Sequence, residues 1–135
     1  LDFYIFDGKD KAKGLSTFSK AEVEHVERVS DIRVAEVIKI PVITIEEVLT
    51  TYFPAPPDLI SIDIEGLDFA IIKKIDLKNY RPRVFCVETV NFQEFENDTK
   101  RNEVTNHFKA YDYFVYAETG INTIFVDSLF YHSTI

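Results

Sequence analysis

Asp63, Glu65 and Glu88 are the residues whose type and spacing could do chemistry. The first two close an apolar run, LISIDIEGLD (59–68), two positions apart and with Gly66 directly after them. Glu88 closes a second apolar run, RVFCVE (83–88). Carboxylates gathered at one place can orient a hydroxyl, take its proton, or share a cation. Crowded acids repel one another, so they persist where a metal, a cationic ligand or a shared proton offsets the repulsion. Gly66 lets the backbone turn sharply or lets a ligand come close. A plainer reading stands beside this one. Asp63 and Glu65 can be solvated loop acids holding backbone N–H groups, and Asp68 suits the positive end of the helix that follows. Composition and spacing leave both readings open.

The elements that must position these acids are legible around them. DLISID (58–63) and RVFCVE read as strands, with LDFAIIKKI (67–75) as a helix between them. Phe69, Ile72 and Ile75 share one helical face, Ile71 extends it, and Lys73 and Lys74 point outward. The two strands are almost continuously apolar, the pattern of parallel strands covered on both faces. A strand–helix–strand unit of this length forms a right-handed crossover. The strands are then neighbours, and their carboxyl ends share a crevice of the kind where open α/β sheets bind ligands.

Upstream, LDFYIF (1–6) reads as a strand and 7–14 as a charged loop. Ser19 and Glu22 have capping-box spacing for a helix over 20–29, with Val23 and Val26 inward. IRVAEVIKIPVIT (32–44) reads as one or two strands interrupted at Pro41, which cannot donate to a ladder. Thr44 and Glu47 repeat the capping spacing ahead of a helix through Tyr52, stopped by PAPP (54–57). Downstream, 98–109 is a sparse helix with only Val104 and Phe108 to bury. YDYFVYAETGINTIFVDS then reads as a hairpin turning at Thr119-Gly120. The expected fold is α/β with a mixed sheet, parallel in the centre and ending in a C-terminal antiparallel hairpin.

The bulk numbers bound the function. A chain of 135 residues with 46% apolar content supports one domain with a real core. With 15 basic against 23 acidic residues the net charge is −8, which disfavours a nucleic-acid groove. The lone Cys86 lies inside VFCVE, as a small hydrophobe rather than a nucleophile. No stretch approaches a membrane span and no leader is visible, so a cytoplasmic protein is expected. The chain lacks Met and opens directly on a strand-like segment, as expected of a piece cut from a longer one. His25, His107 and His132 have no mutual metal-ligand spacing and read as surface residues. Ser19 is explained by capping. The aromatics of 111–116 and 124–131 read as sheet core. Gly8, Gly14, Gly66 and Gly120 are too scattered for a phosphate loop.

The order of segments resembles a known family. STF (16–18) precedes a short helix, TIEEVL (44–49) precedes LISIDIEGLDFAIIKKID, and RPRVFCVET and TGINTIFV follow. Together these are similar to the C-terminal part of the FkbM-type S-adenosylmethionine-dependent methyltransferases. IDIEG followed by an RP…VE strand is the most specific element. The resemblance implies a Rossmann-like class I methyltransferase fold. It also implies O-methylation of a hydroxyl on a sugar, polyketide or similar small or surface-polymer acceptor. Asp63, Glu65 and Gly66 match the family's loop after its fourth strand, which faces the methyl group and the acceptor. The resemblance therefore makes Asp63 and Glu65 catalytic, as base or orienter, and places Gly66, Glu88 and Asn122 on the acceptor side. No metal is expected. The family's glycine-bearing cofactor turn has no counterpart in this sequence. Residues 1–135 are thus expected to be a single partial domain, with S-adenosylmethionine bound by residues upstream of Leu1.

Two rivals remain. SIDIEGLD also resembles the Asp-x-Glu of proofreading-type 3′–5′ exonucleases, in which two carboxylates bridge divalent ions. Those enzymes carry the motif on their first strand and need further acids downstream, and an acidic surface suits DNA badly. The other rival is a non-catalytic interaction module, whose exposed sheet edge would pair with a second copy.

Overall fold

The computed structural model describes residues 1–7, 15–64, 67–89 and 99–133. They form two compact units, Leu1–Thr44 with Ile64–Leu67, and Ile45–Asp63 with Asp68–Ile135. The expected loop over 7–14 falls largely outside the described residues.

In the first unit, β1 (Asp2–Asp7) pairs antiparallel with β2 (Arg33–Lys39), with a register shift between Ile5 and Phe6. β2 is a single strand that stops two residues short of Pro41. Between the strands lies α1 (Lys20–Val29), capped as its sequence predicts. Ser19 Oγ accepts from the Glu22 N–H at 3.2 Å, and the Glu22 carboxylate in turn takes the Thr17 hydroxyl. At the other end, Ser30 N–H and Oγ both donate to Val26 O, at 3.0 and 2.7 Å. Arg33 Nη1 adds bonds to Ser30 O and Glu27 O, placing a cation at the negative helix end. Phe6, Val23 and Val26 are the buried core here, with Tyr4, Leu15, Ile32 and Val34 packed against it.

The second unit holds α2 (Ile45–Tyr52), β3 (Leu59–Ile62), α3 (Asp68–Ile72), β4 (Val84–Glu88), α4 (Thr99–Lys109), β5 (Tyr113–Glu118), β6 (Asn122–Asp127) and α5 (Ser128–Ser133). Its sheet runs in the order β3-β4-β6-β5. β3 and β4 are parallel, while β6 is antiparallel to both β4 and β5. The sheet is therefore mixed, as expected, with the hairpin turning at Gly120, whose φ of +94° suits a residue without Cβ. Asp112, at φ 63°, makes the left-handed exit from α4 that Asp tolerates.

One face of this sheet carries the core. Phe85, Phe108 and Phe125 are fully buried, and the Phe108 ring stacks on Phe125 at 4.2 Å and tilts against Phe85 at 4.9 Å. Burial of each such side chain contributes about 2–3 kcal/mol. Val104 and Phe108, the two apolar positions that the sparse helix offers, are both fully buried. β3 sits at the sheet's edge, and Leu59 on it is 57% exposed, so the expectation of strands covered on both faces does not hold there.

α3 is shorter than its apolar pattern. After Ile72 the chain tightens, with Lys74 N–H bonding Ile71 O and Ile75 N–H bonding Ile72 O three residues back. The Asp76 carboxylate then takes the N–H groups of Lys78 and Asn79, a local turn that competes with helix. Ile72 and Ile75 are still buried, as the periodicity demands.

Candidate functional site

The carboxylates are brought together by strand register. Ile62 lies opposite Val87 in the parallel pair. The next residue on each chain is an acid: Asp63 directly beyond β3, and Glu88 at the end of β4. Adjacent strands run about 4.8 Å apart, so both side chains emerge at the same carboxyl end of the sheet. α3 begins at Asp68 and brings a third acid to that end. Carboxylate oxygens of Asp63, Asp68 and Glu88 all lie within 4.8 Å of one another.

The three differ in setting. Asp63 is exposed, Glu88 is half-buried, and Asp68 has no exposed surface. Asp68 is the residue that sequence reasoning missed. Its place in the first helical turn is explained by the helix dipole, and nothing local signals its burial. The one available hint is the short connection of four residues between it and Asp63, which returns the chain to the strand tip.

Asn122 opens β6 and lies directly opposite Glu88. Residues opposed in this way project from the same face, so Asn122 shares the face of Glu88. Its backbone is pinned by the hairpin: Thr119 N–H donates to Asn122 O at 2.9 Å, and Asn122 N–H donates to Thr119 Oγ1 at 3.1 Å. One residue beyond Glu88, Thr89 N–H reaches Ile121 O at 3.0 Å, and its hydroxyl meets that of Thr123 at 2.7 Å in a buried pair. The floor beneath Glu88 is therefore held by four strand-end hydrogen bonds rather than by a loose loop. Glu65 and Gly66 lie outside the described residues.

Chemically, the group offers oxygen donors alone, suited to a hydroxyl, an ammonium or sulfonium charge, or a hard cation. None of the three histidines joins it. His107, read from sequence as a surface residue, is instead half-buried on α4, with Nε2 out of solvent. Cys86 is a half-buried strand residue in register with Ser61 and Ile124. Among the described residues, no helix is long and apolar enough to cross a membrane.

A family model for the methyltransferase FkbM domain matches residues 2–115, a span that runs from β1 into β5 and includes Asp63, Asp68 and Glu88. No curated protein and no solved structure matches the chain. With that match extending over most of its length, the chain belongs to the FkbM methyltransferase domain family.

Proposed function

We propose that the chain acts in S-adenosylmethionine-dependent methyl transfer to a hydroxyl of a small-molecule or glycan acceptor, with the carboxylates beyond β3 and β4 on the acceptor side. The observation that carries this reading is the meeting of Asp63, Asp68 and Glu88 within 4.8 Å at the carboxyl end of a parallel strand pair in an FkbM domain. Methylation of an alcohol requires the acceptor oxygen to lie in line with the donor methyl and to lose its proton as the bond forms. Asp63 is the exposed member of the group and can reach a bound hydroxyl, orient it and accept that proton. Glu65 shares this role by its match to the family's loop. Glu88 and Asn122 line the acceptor side, and Gly66 is assigned there with them by its match to the family's loop.

The methyl donor supplies an electrophilic methyl on a sulfonium. None of the described residues is assigned to holding it. Among the described residues the one glycine is Gly120, in the β5–β6 turn with open space around it. The contribution assigned to these residues is therefore to the acceptor alone.

The test is transfer of labelled methyl from S-adenosylmethionine to a panel of hydroxyl-bearing sugars, glycans and polyketides, using the intact protein. Asp63→Asn is expected to lower turnover by about 10²–10⁴-fold, the usual contribution of a positioned base, while donor affinity by calorimetry stays within a few-fold. Unchanged turnover in Asp63→Asn and in Glu65→Gln would remove the catalytic assignment. The acid group also favours a cation-dependent reading, so Mn²⁺ titration belongs beside the transfer assay. Tight binding lost in Asp63→Asn would transfer the site to metal-dependent hydrolysis.

A further inference from the structure

His107 stands outside the carboxylate group and has an unusual setting. Its ring meets Phe69 of α3 edge-on at 5.7 Å, and Tyr111, just beyond α4, at 5.2 Å. Nε2 is buried and has no hydrogen-bond partner among the described residues. Lys73, one residue past α3, holds its ammonium over the Phe69 ring at 4.5 Å from the centroid, on the segment that His107 packs against. The groups around the imidazole are thus an aromatic ring and a cation from the α3 segment, the edge-on ring of its neighbour Phe108 at 6.0 Å, and a phenol from the end of α4. Glu103, one turn earlier on α4, is exposed, and His107 forms no ion pair with any described carboxylate.

A neutral imidazole fits this seat, because its edge and face complement the three rings. An imidazolium does not. Its Nε2–H would be a buried donor without an acceptor, beside a second positive charge. Burial first, and Lys73 second, hold the His107 imidazole below the ordinary histidine range. The sign of the linkage follows. The unfolded chain takes up the proton more readily than the folded one, so the contact is fully present above the unfolded value of about 6.5 and is lost as pH falls toward the lower folded value.

We propose that His107 is a proton-operated wedge between α3 and α4: neutral, it seats Phe69 and fixes the start of α3; protonated, it leaves its seat and releases that segment. α3 begins with Asp68, so release loosens one of the three clustered acids, and mild acid weakens the geometry of the site before the sheet itself opens. The device does not depend on the reaction performed at the carboxylates, and a failure of methyl transfer leaves it standing.

The test is proton NMR of the His107 ring together with hydrogen exchange of the α3 amides between pH 7.5 and roughly 4.5, corrected for intrinsic exchange. The ring is expected to titrate below 6.5, with α3 amides exchanging about tenfold faster once it is charged. In His107→Phe, which keeps an aromatic ring and removes the proton site, that acceleration should vanish. Lys73→Met, at an exposed position, should move the ring's midpoint upward without unfolding the chain. The proposal is overturned by a midpoint at or above 6.5, by the same α3 acceleration in His107→Phe, or by a midpoint that Lys73→Met leaves in place.

Discussion

Removing the guanidinium of Arg81 should cost the second unit about 3 kcal/mol of stability. Arg81 forks onto Asp127, with Nε to Oδ2 at 3.1 Å and Nη2 to Oδ1 at 2.7 Å. It also donates to Leu77 O at 3.2 Å and Tyr111 O at 2.9 Å, and lies 5.1 Å from the Tyr113 ring. One side chain thereby ties the turn before β4, the end of α4 and the end of β6. Asp127 is 5% exposed, so Arg81→Ala leaves its carboxylate buried with the Leu129 N–H as that side chain's remaining partner among the described residues. Breaking a buried pair from one side costs about 3–5 kcal/mol. The Arg81 side chain is 22% exposed, and water can refill part of the gap, which favours the lower end. About 3 kcal/mol corresponds to a Tm loss of roughly 10 °C for a chain of this size. The assay is urea unfolding followed by circular dichroism, with Arg81→Ala, Asp127→Leu and the double variant compared. The double variant removes both charges and should lose less than the two single losses combined, by at least about 1 kcal/mol of coupling. A loss under about 1 kcal/mol in Arg81→Ala, or strict additivity in the cycle, would refute the pair as a staple.

Two further outcomes follow from the same core. Phe108→Ala should cost about 3–5 kcal/mol by urea unfolding, because the ring is fully buried between Phe85 and Phe125 and α4 has little else to bury. The Tyr113 hydroxyl donates to Pro82 O at 2.6 Å, and burial raises its pKa well above the ordinary tyrosine value. The neutral phenol therefore stabilises the fold below about pH 10, and that contribution falls as pH rises past it, since the unfolded chain ionises first. Titration at 295 nm should show one tyrosine that ionises only as the far-ultraviolet signal is lost; free ionisation of all tyrosines in the folded protein would contradict this.

Much of this architecture was legible because local signals and tertiary packing agree. Ser19 caps α1 where the spacing puts it, the hairpin turns at Gly120, and α4 buries the two apolar residues its pattern offers. The departures have identifiable competitors. α3 stops early because the Asp76 turn captures backbone donors that would otherwise continue the helix. Tyr116, read as sheet core, is 61% exposed, and the register of β5 against β6 shifts between Val115 and Ala117, so an extra residue breaks the alternation there. His107 carries no sequence signal of burial, since the ring it packs against belongs to Phe69, thirty-eight positions earlier.

The acid site divides along the same line. Asp63 and Glu88 could be paired from sequence, because a crossover between neighbouring parallel strands aligns their ends and each acid directly follows or closes an apolar run. Register alone brings two carboxylates together, whatever the side chains prefer. Asp68 required knowledge of where the chain goes after the strand. Leu67 N–H donates to Ile64 O at 3.0 Å within the four-residue connection between Asp63 and Asp68. A helix that begins four residues after a strand tip must start close to it, since so short a connection spans little distance. The acid that looked like a partner for the helix dipole is thus also fixed within 4.8 Å of the other two. A longer connection would have satisfied the dipole equally well and left the group with two members.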